Sequence, residues 1–188
     1  MTAIDAPRTH DEIVRAFDQQ ETDSVAYWNA FDTAAFFRRI GPSWSPAETV
    51  RHLSKSTRPV AKALAMPALV LRFMFGRARR PSMTYDDFCH RYRQALSEGG
   101  QAGRFAPSER SESDLEAWRR SIMAEFTQAS GALRKTIARW PDGRLDRLQL
   151  PHPLLGKLTV REMLFFTLYH QRHHIAVVKR HLAEQHAV

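Results

Sequence analysis

The sequence predicts an all-α protein, a four-helix bundle with a long crossover connection, and three observations carry that prediction. Apolar residues recur at three- and four-residue steps over four long stretches, about 9–39, 45–75, 112–140 and 159–183. Three Ser/Thr-x-x-Glu pairs, Ser45 with Glu48, Ser113 with Glu116 and Thr159 with Glu162, have the spacing of capping boxes at helix starts. The pattern weakens from Gly76 to Arg110, and no strand alternation, internal repeat or Gly-rich phosphate loop interrupts the helical reading.

In the first stretch Ile13, Phe17, Ser24, Trp28, Phe31 and Ala35 share one helical face, which should end near Arg39 before Gly41-Pro42. Ser45, Pro46 and Glu48 supply an N-cap, a first helical residue whose missing N–H costs nothing there, and a reciprocal cap for the second helix. Its apolar face is Val50, Leu53, Val60, Leu64, Leu71 and Phe75, and Pro59 and Pro67 should bend or break it because each removes an intrahelical hydrogen bond. The crossover holds a short helix around Asp86 to Ser97 and a loop with Gly99, Gly100, Gly103 and Pro107. Leu115, Trp118, Ile122, Phe126, Ala129, Leu133, Ile137 and Trp140 form the most regular stripe and define the third helix. Pro141-Asp142-Gly143 ends it, residues 144–157 form an extended connection, and Thr159 with Glu162 opens the fourth.

At 188 residues the chain reads as a single domain, 1–188, able to bury a core without disulfides. Cys89 is the only cysteine, so a thiol-based zinc knuckle or redox pair is excluded and any metal must be held by histidines or carboxylates. Met1 to His10 has no apolar core and carries Asp5 and Arg8, unlike a secretory or transit peptide, so a cytoplasmic location is expected. Val60 to Phe75, the most apolar stretch, contains Lys62 and Arg72 and falls short of the roughly 20 residues that span a bilayer. It is more apolar than one buried stripe requires, which suits a dimer face and not a membrane partner. The net charge of +8 is scattered, with only Arg77, Arg79 and Arg80 close together and no aromatic interleaving, so nucleic acid is not the expected partner.

Chemistry concentrates in His170-Gln171-Arg172-His173-His174. Residues four apart lie one turn apart on the same side of a helix, so His170 and His174 can place two imidazole nitrogens on one ion. Met163, Phe166, His170, His174 and Val177 continue as one inward stripe, and buried imidazoles need partners that a metal provides. The alternative is a pair of satisfied core histidines. His173 projects about 100° away and reads as a flank residue. Position 171 is Gln where a zincin protease carries its general-base Glu, which disfavours peptidase chemistry. A third ligand has to come from another element, with His52, seven residues after the Ser45 cap, as candidate.

Trp44-Ser45-Pro46-Ala47-Glu48-Thr49-Val50-Arg51-His52-Leu53, followed by His152-Pro153-Leu154-Leu155-Gly156-Lys157-Leu158-Thr159 and then the 170–174 run, resembles the DinB/YfiT-like superfamily in order and spacing. The resemblance implies a four-helix bundle with one divalent ion, zinc or nickel, on His52, His170 and His174, frequently in a homodimer. It also implies a small-molecule substrate: some relatives are thiol-dependent transferases or isomerases using bacillithiol, mycothiol or glutathione, and others are metal-dependent hydrolases. By helical count alone His52 flanks the Val50-Leu53 face, so its ligand role rests on the resemblance.

Three neutral imidazoles leave an ion its full charge and an open position, which suits catalysis better than a closed structural site. Such an ion acidifies bound water for hydrolysis or a bound thiol for attack on an electrophile. Glu48, one turn before His52, can orient it or act as general base; the plainer role is capping Ser45. His152, between prolines, either reaches the mouth of the metal site or fills a turn. Two function classes follow: a metal-dependent enzyme, or a non-catalytic metal-stabilised bundle that serves as a binding module. An open coordination position facing a cleft separates them.

Overall fold

The computed structural model describes residues 6–41, 43–108 and 112–186. Among these, four long helices, α1 (His10–Asn29), α3 (Pro46–Ala65), α6 (Leu115–Ile137) and α8 (Val160–His186), form the bundle. Shorter helices α2 (Thr33–Phe37), α4 (Ala68–Phe75), α5 (Tyr85–Ser97) and α7 (Asp142–Leu145) connect them, with a two-stranded antiparallel hairpin of β1 (Gln149–His152) and β2 (Gly156–Thr159). No described helix is long and apolar enough to cross a membrane.

Several elements differ from the sequence expectation. The stretch read as one helix over 9–39 is two, because Asp32 takes an extended conformation and its side chain accepts from Ala35 N, starting α2 afresh. The stretch over 45–75 breaks at Met66, which the following Pro67 holds extended with ψ 152°, whereas Pro59 stays inside α3. The third helix is capped by Asp114, not Ser113: Asp114 accepts from Ala117 N, and Glu116 instead takes the Thr33 hydroxyl. The connection over 144–157 is not extended throughout: it takes in the end of α7 and then a hairpin that pairs 149–152 with 156–159, His152 opposite Gly156, whose φ of 72° favours glycine at the turn exit. Four-residue strands are too short to leave a period-2 signal. The boxes Ser45–Glu48 and Thr159–Glu162 are both formed.

The apolar core divides into two clusters. One joins Ile13 and Phe17 of α1, Val60 and Leu64 of α3, Leu133 and Ile137 of α6 and Val160 to Leu168 of α8. The other joins Trp28, Val50, Leu53, Ile122, Phe126, Ile175 and Val178. The sequence order of these groups shows that α1 and α8 run one way and α3 and α6 the other. α6 and α8 each flank both α1 and α3, so α1 and α3 lie across the diagonal. Neighbouring helices that run parallel, as α3 and α6 do, need a return path the length of the bundle, and α4, α5 and the loop to residue 114 provide it. Between the clusters lies a buried polar layer of Gln20, Ser24, His52, Ser54, Thr57, Ser130, His170 and Gln171.

Candidate metal centre

His52 reaches this layer from the first half of α3, whose register the Ser45 cap fixes. Glu48 Oε2 accepts from Ser45 N at 2.8 Å and from Ser45 Oγ at 3.0 Å, so its carboxylate is engaged in the capping role. His170 and His174 come from α8 just where that helix passes from burial on all sides to a partly open flank. The three sequence-predicted ligands meet. His52 Nε2 lies 3.0 Å and His174 Nε2 3.1 Å from His170 Nε2, and the three form the group of potential ligand atoms that could share one ion among the described residues.

The hydrogen-bond chemistry fits a cation. His52 Nδ1 stands 2.8 Å from the Phe105 carbonyl, which can only accept, so the proton is on Nδ1 and the Nε2 lone pair faces the cluster. No tautomer of His170 then gives both Nε2 contacts a linear hydrogen bond. One ion bound to all three at tetrahedral angles would put the nitrogens about 3.3 Å apart, close to what is found. Burial pushes His52 below the ordinary imidazole range, and pushes His170 and His174 well below it, with mutual repulsion adding to the effect. The cluster is therefore neutral and its lone pairs are available. Gln171, in the general-base position of a zincin, is buried and accepts the Ser24 hydroxyl at 3.4 Å instead.

Aromatic rings hold the imidazoles. Trp44 stacks on His174 with centroids 6.0 Å apart, and Phe166 on His170 at 4.8 Å. The loop carrying Phe105 is tied to α3 by Arg51, which donates to the Ser108 carbonyl, and by Lys55, which donates to the Ala106 carbonyl. His173 stacks on Tyr169 and stays outside the cluster, as its helical angle predicts. Trp44 opens the first of the three motifs, but nothing in its spacing marks it as a ring against His174.

His52 and His170 also form part of the wall of a cavity of about 200 Å³, lined otherwise mainly by apolar groups that include Val60, Ala63, Leu150, Met163 and Phe166. His152 is in that wall too, while the exposed Gln101 and Arg104 mark where it meets solvent. Thus His152 fills a turn and also stands in the cavity wall. Among the described residues, no acidic one lines the cavity. His174 is not in that wall and lines a separate groove with Trp44 and His173.

No curated protein matches the chain. Among solved structures the chain is similar to the crystal structure of TT2238, described as a four-helix bundle protein, at 18% identity and a TM-score of 0.57, over 92% of this chain and 99% of that one. That likeness bears on the fold. A family model described as the DinB superfamily matches residues 16–178, which include His52, His170 and His174. A three-histidine cluster of metal-binding geometry within a helical bundle, matched by this model over most of its length, makes the chain a member of the DinB superfamily.

Proposed function

We propose that the protein is a divalent-metal-dependent enzyme that holds zinc or nickel on His52, His170 and His174 and acts on a small apolar molecule in the adjoining cavity. The observation that carries this reading is that three neutral imidazole nitrogens converge on one point and two of the rings, His52 and His170, stand in the wall of a cavity, so a bound ion would be held by protein on one side with the cavity on the other. When bound, the ion would supply Lewis acidity, lowering the pKa of a coordinated thiol or water. The chain's own part is to fix the ligand tautomer through the Phe105 carbonyl and to exclude bulk water with apolar walls. A thiol-dependent S-transferase or isomerase and a hydrolase are the two forms of this reading. A low-molecular-weight thiol is the co-substrate in the first.

Elemental analysis of protein purified without a histidine tag should find one divalent ion per chain. Loading that ion should raise the melting temperature, because binding to the folded state alone stabilises it, and His174→Ala should abolish the rise. Turnover with electrophiles plus bacillithiol, mycothiol or glutathione, lost on chelation, assigns the transferase; thiol-independent ester or amide cleavage, lost on chelation, assigns the hydrolase. Activity that survives complete metal removal overturns both. Glu48→Gln tests the further general-base role: it keeps the capping geometry, so a loss of turnover without loss of metal would give Glu48 a part in the chemistry.

A further inference from the structure

His152 is 5% exposed and carries one polar atom whose hydrogen-bonding capacity no described residue meets. Its Nδ1 accepts from Leu154 N at 3.2 Å and from Leu155 N at 3.1 Å, two donors of the hairpin turn. Backbone amides can only donate, so Nδ1 carries the lone pair and the proton of the neutral ring is fixed on Nε2. The ring is held in the neutral state, since burial takes its pKa down to about 4. Nε2–H is buried and has no partner among the described residues, and leaving a buried donor unpaired is unfavourable. The ring packs edge-on against Phe166, with centroids 4.4 Å apart, and Phe166 in turn stacks on His170. His152 therefore stands one aromatic ring away from the three-histidine cluster, in the wall of the same cavity.

We infer that His152 is a ligand-binding residue whose Nε2–H donates to an acceptor oxygen of the molecule held in the cavity, so that the site selects apolar compounds carrying a carbonyl or similar neutral acceptor. This rests on the reading of the cavity as the substrate chamber of the metal centre. The fixed tautomer makes the selection one-way: the ring offers a donor and no acceptor, so a ligand presenting only N–H or O–H at that point is disfavoured. The described residues of the wall include no acidic group, which disfavours cations in the same way. A volume of about 200 Å³ suits a ligand of one substituted ring, given that a cavity of about 150 Å³ takes benzene.

The test uses acetophenone and ethylbenzene, matched in shape and differing in the acceptor oxygen, titrated into the full-length protein by NMR, once zinc-loaded and once chelated. Wild-type protein should prefer acetophenone by roughly three- to tenfold in the chelated state, the ratio one net hydrogen bond gives. The bound carbonyl stretch should move to lower frequency. His152→Asn keeps an acceptor for Leu154 N and Leu155 N but has no group at the Nε2 position, so the ratio of acetophenone to ethylbenzene affinity should fall by at least that factor, with ethylbenzene affinity unchanged. His152→Gln reaches that position with an amide N–H and should restore part of the preference, which a merely structural role for His152 would not produce. An unchanged preference in His152→Asn, failure of either probe to bind the wild type, or loss of zinc stoichiometry in His152→Asn, which would make His152 a metal ligand, each overturns the assignment. If the wild type takes up no metal while the His152-dependent preference persists in chelated protein, the metal reading fails and the ligand contact stands.

Discussion

His152 also shapes how the protein responds to acid. Its folded pKa of about 4 lies below the ordinary imidazole value of 6.5, so above pH 6.5 both folded and unfolded chains are neutral there and the stability is fully present. As pH falls toward 4 the unfolded chain takes up a proton that the folded ring refuses, and the difference costs about 3 kcal/mol by the time the folded ring titrates. Denaturant unfolding of chelated protein at pH 7 and at pH 4.5 should show a smaller loss in His152→Asn than in wild type. Equal losses would mean that the ring is more hydrated than its burial indicates. That His170 and His174 come together was legible from one helix, because four-residue spacing in a single element fixes geometry. His52 was not, since its place opposite them depends on how α3 packs, and only the motif resemblance reached across that gap. The role of His152 was only half visible: prolines on both sides mark a turn, but its tautomer depends on amides that face it only when the hairpin is closed.

At the scale of elements, the start of α8 shows how a sequence signal can carry more than one function. Glu162 completes the capping box with Thr159, yet it is fully buried and also accepts from Met83 N at 2.8 Å and from the Arg80 guanidinium. Arg161 beside it binds Asp142 and Asp146, and its guanidinium holds the Asp146 carboxyl below the usual carboxylate range. These contacts fasten the crossover and α7 to the first turn of α8, which is how a helix buried all round carries two charged residues there. Glu162→Ala should lower the unfolding free energy by about 3 kcal/mol, because it strands two backbone donors as well as breaking the ion pair. A loss under about 1 kcal/mol, measured by denaturant titration, would mean that only the cap is at stake. The capping spacing was readable in the sequence; the partners from residues 80–83 were not, because a weakly patterned crossover gives no hint of what it lies against. The break between α1 and α2 was hidden for a different reason. Phe31 and Ala35 continue the apolar period across it, so the pattern ran on where Asp32 interrupts the backbone.

For the whole molecule, the apolar face of α4 is a feature left uncovered by the described residues. Leu69 is 76% and Phe73 93% exposed, on a helix whose sequence suits a dimer face. We propose that a second copy covers it, in line with the homodimer the family resemblance implies. Phe73→Glu should then shift sedimentation from dimer to monomer while leaving metal content unchanged, since α4 contributes no ligand. Monomeric wild-type protein would dismiss the proposal.

The diagonal placement of α1 and α3 also governs when the chain can fold. Each finds its bundle neighbours in α6 and α8, which leave the ribosome later, and α8 supplies residues to both apolar clusters. The first half of a nascent chain consequently has helices to form but little surface to bury them against. With two of its three histidines on α8, the cluster cannot assemble before that last helix is made. An emerging chain can offer His52 early, but the three-histidine cluster first exists when the core on both sides of it closes.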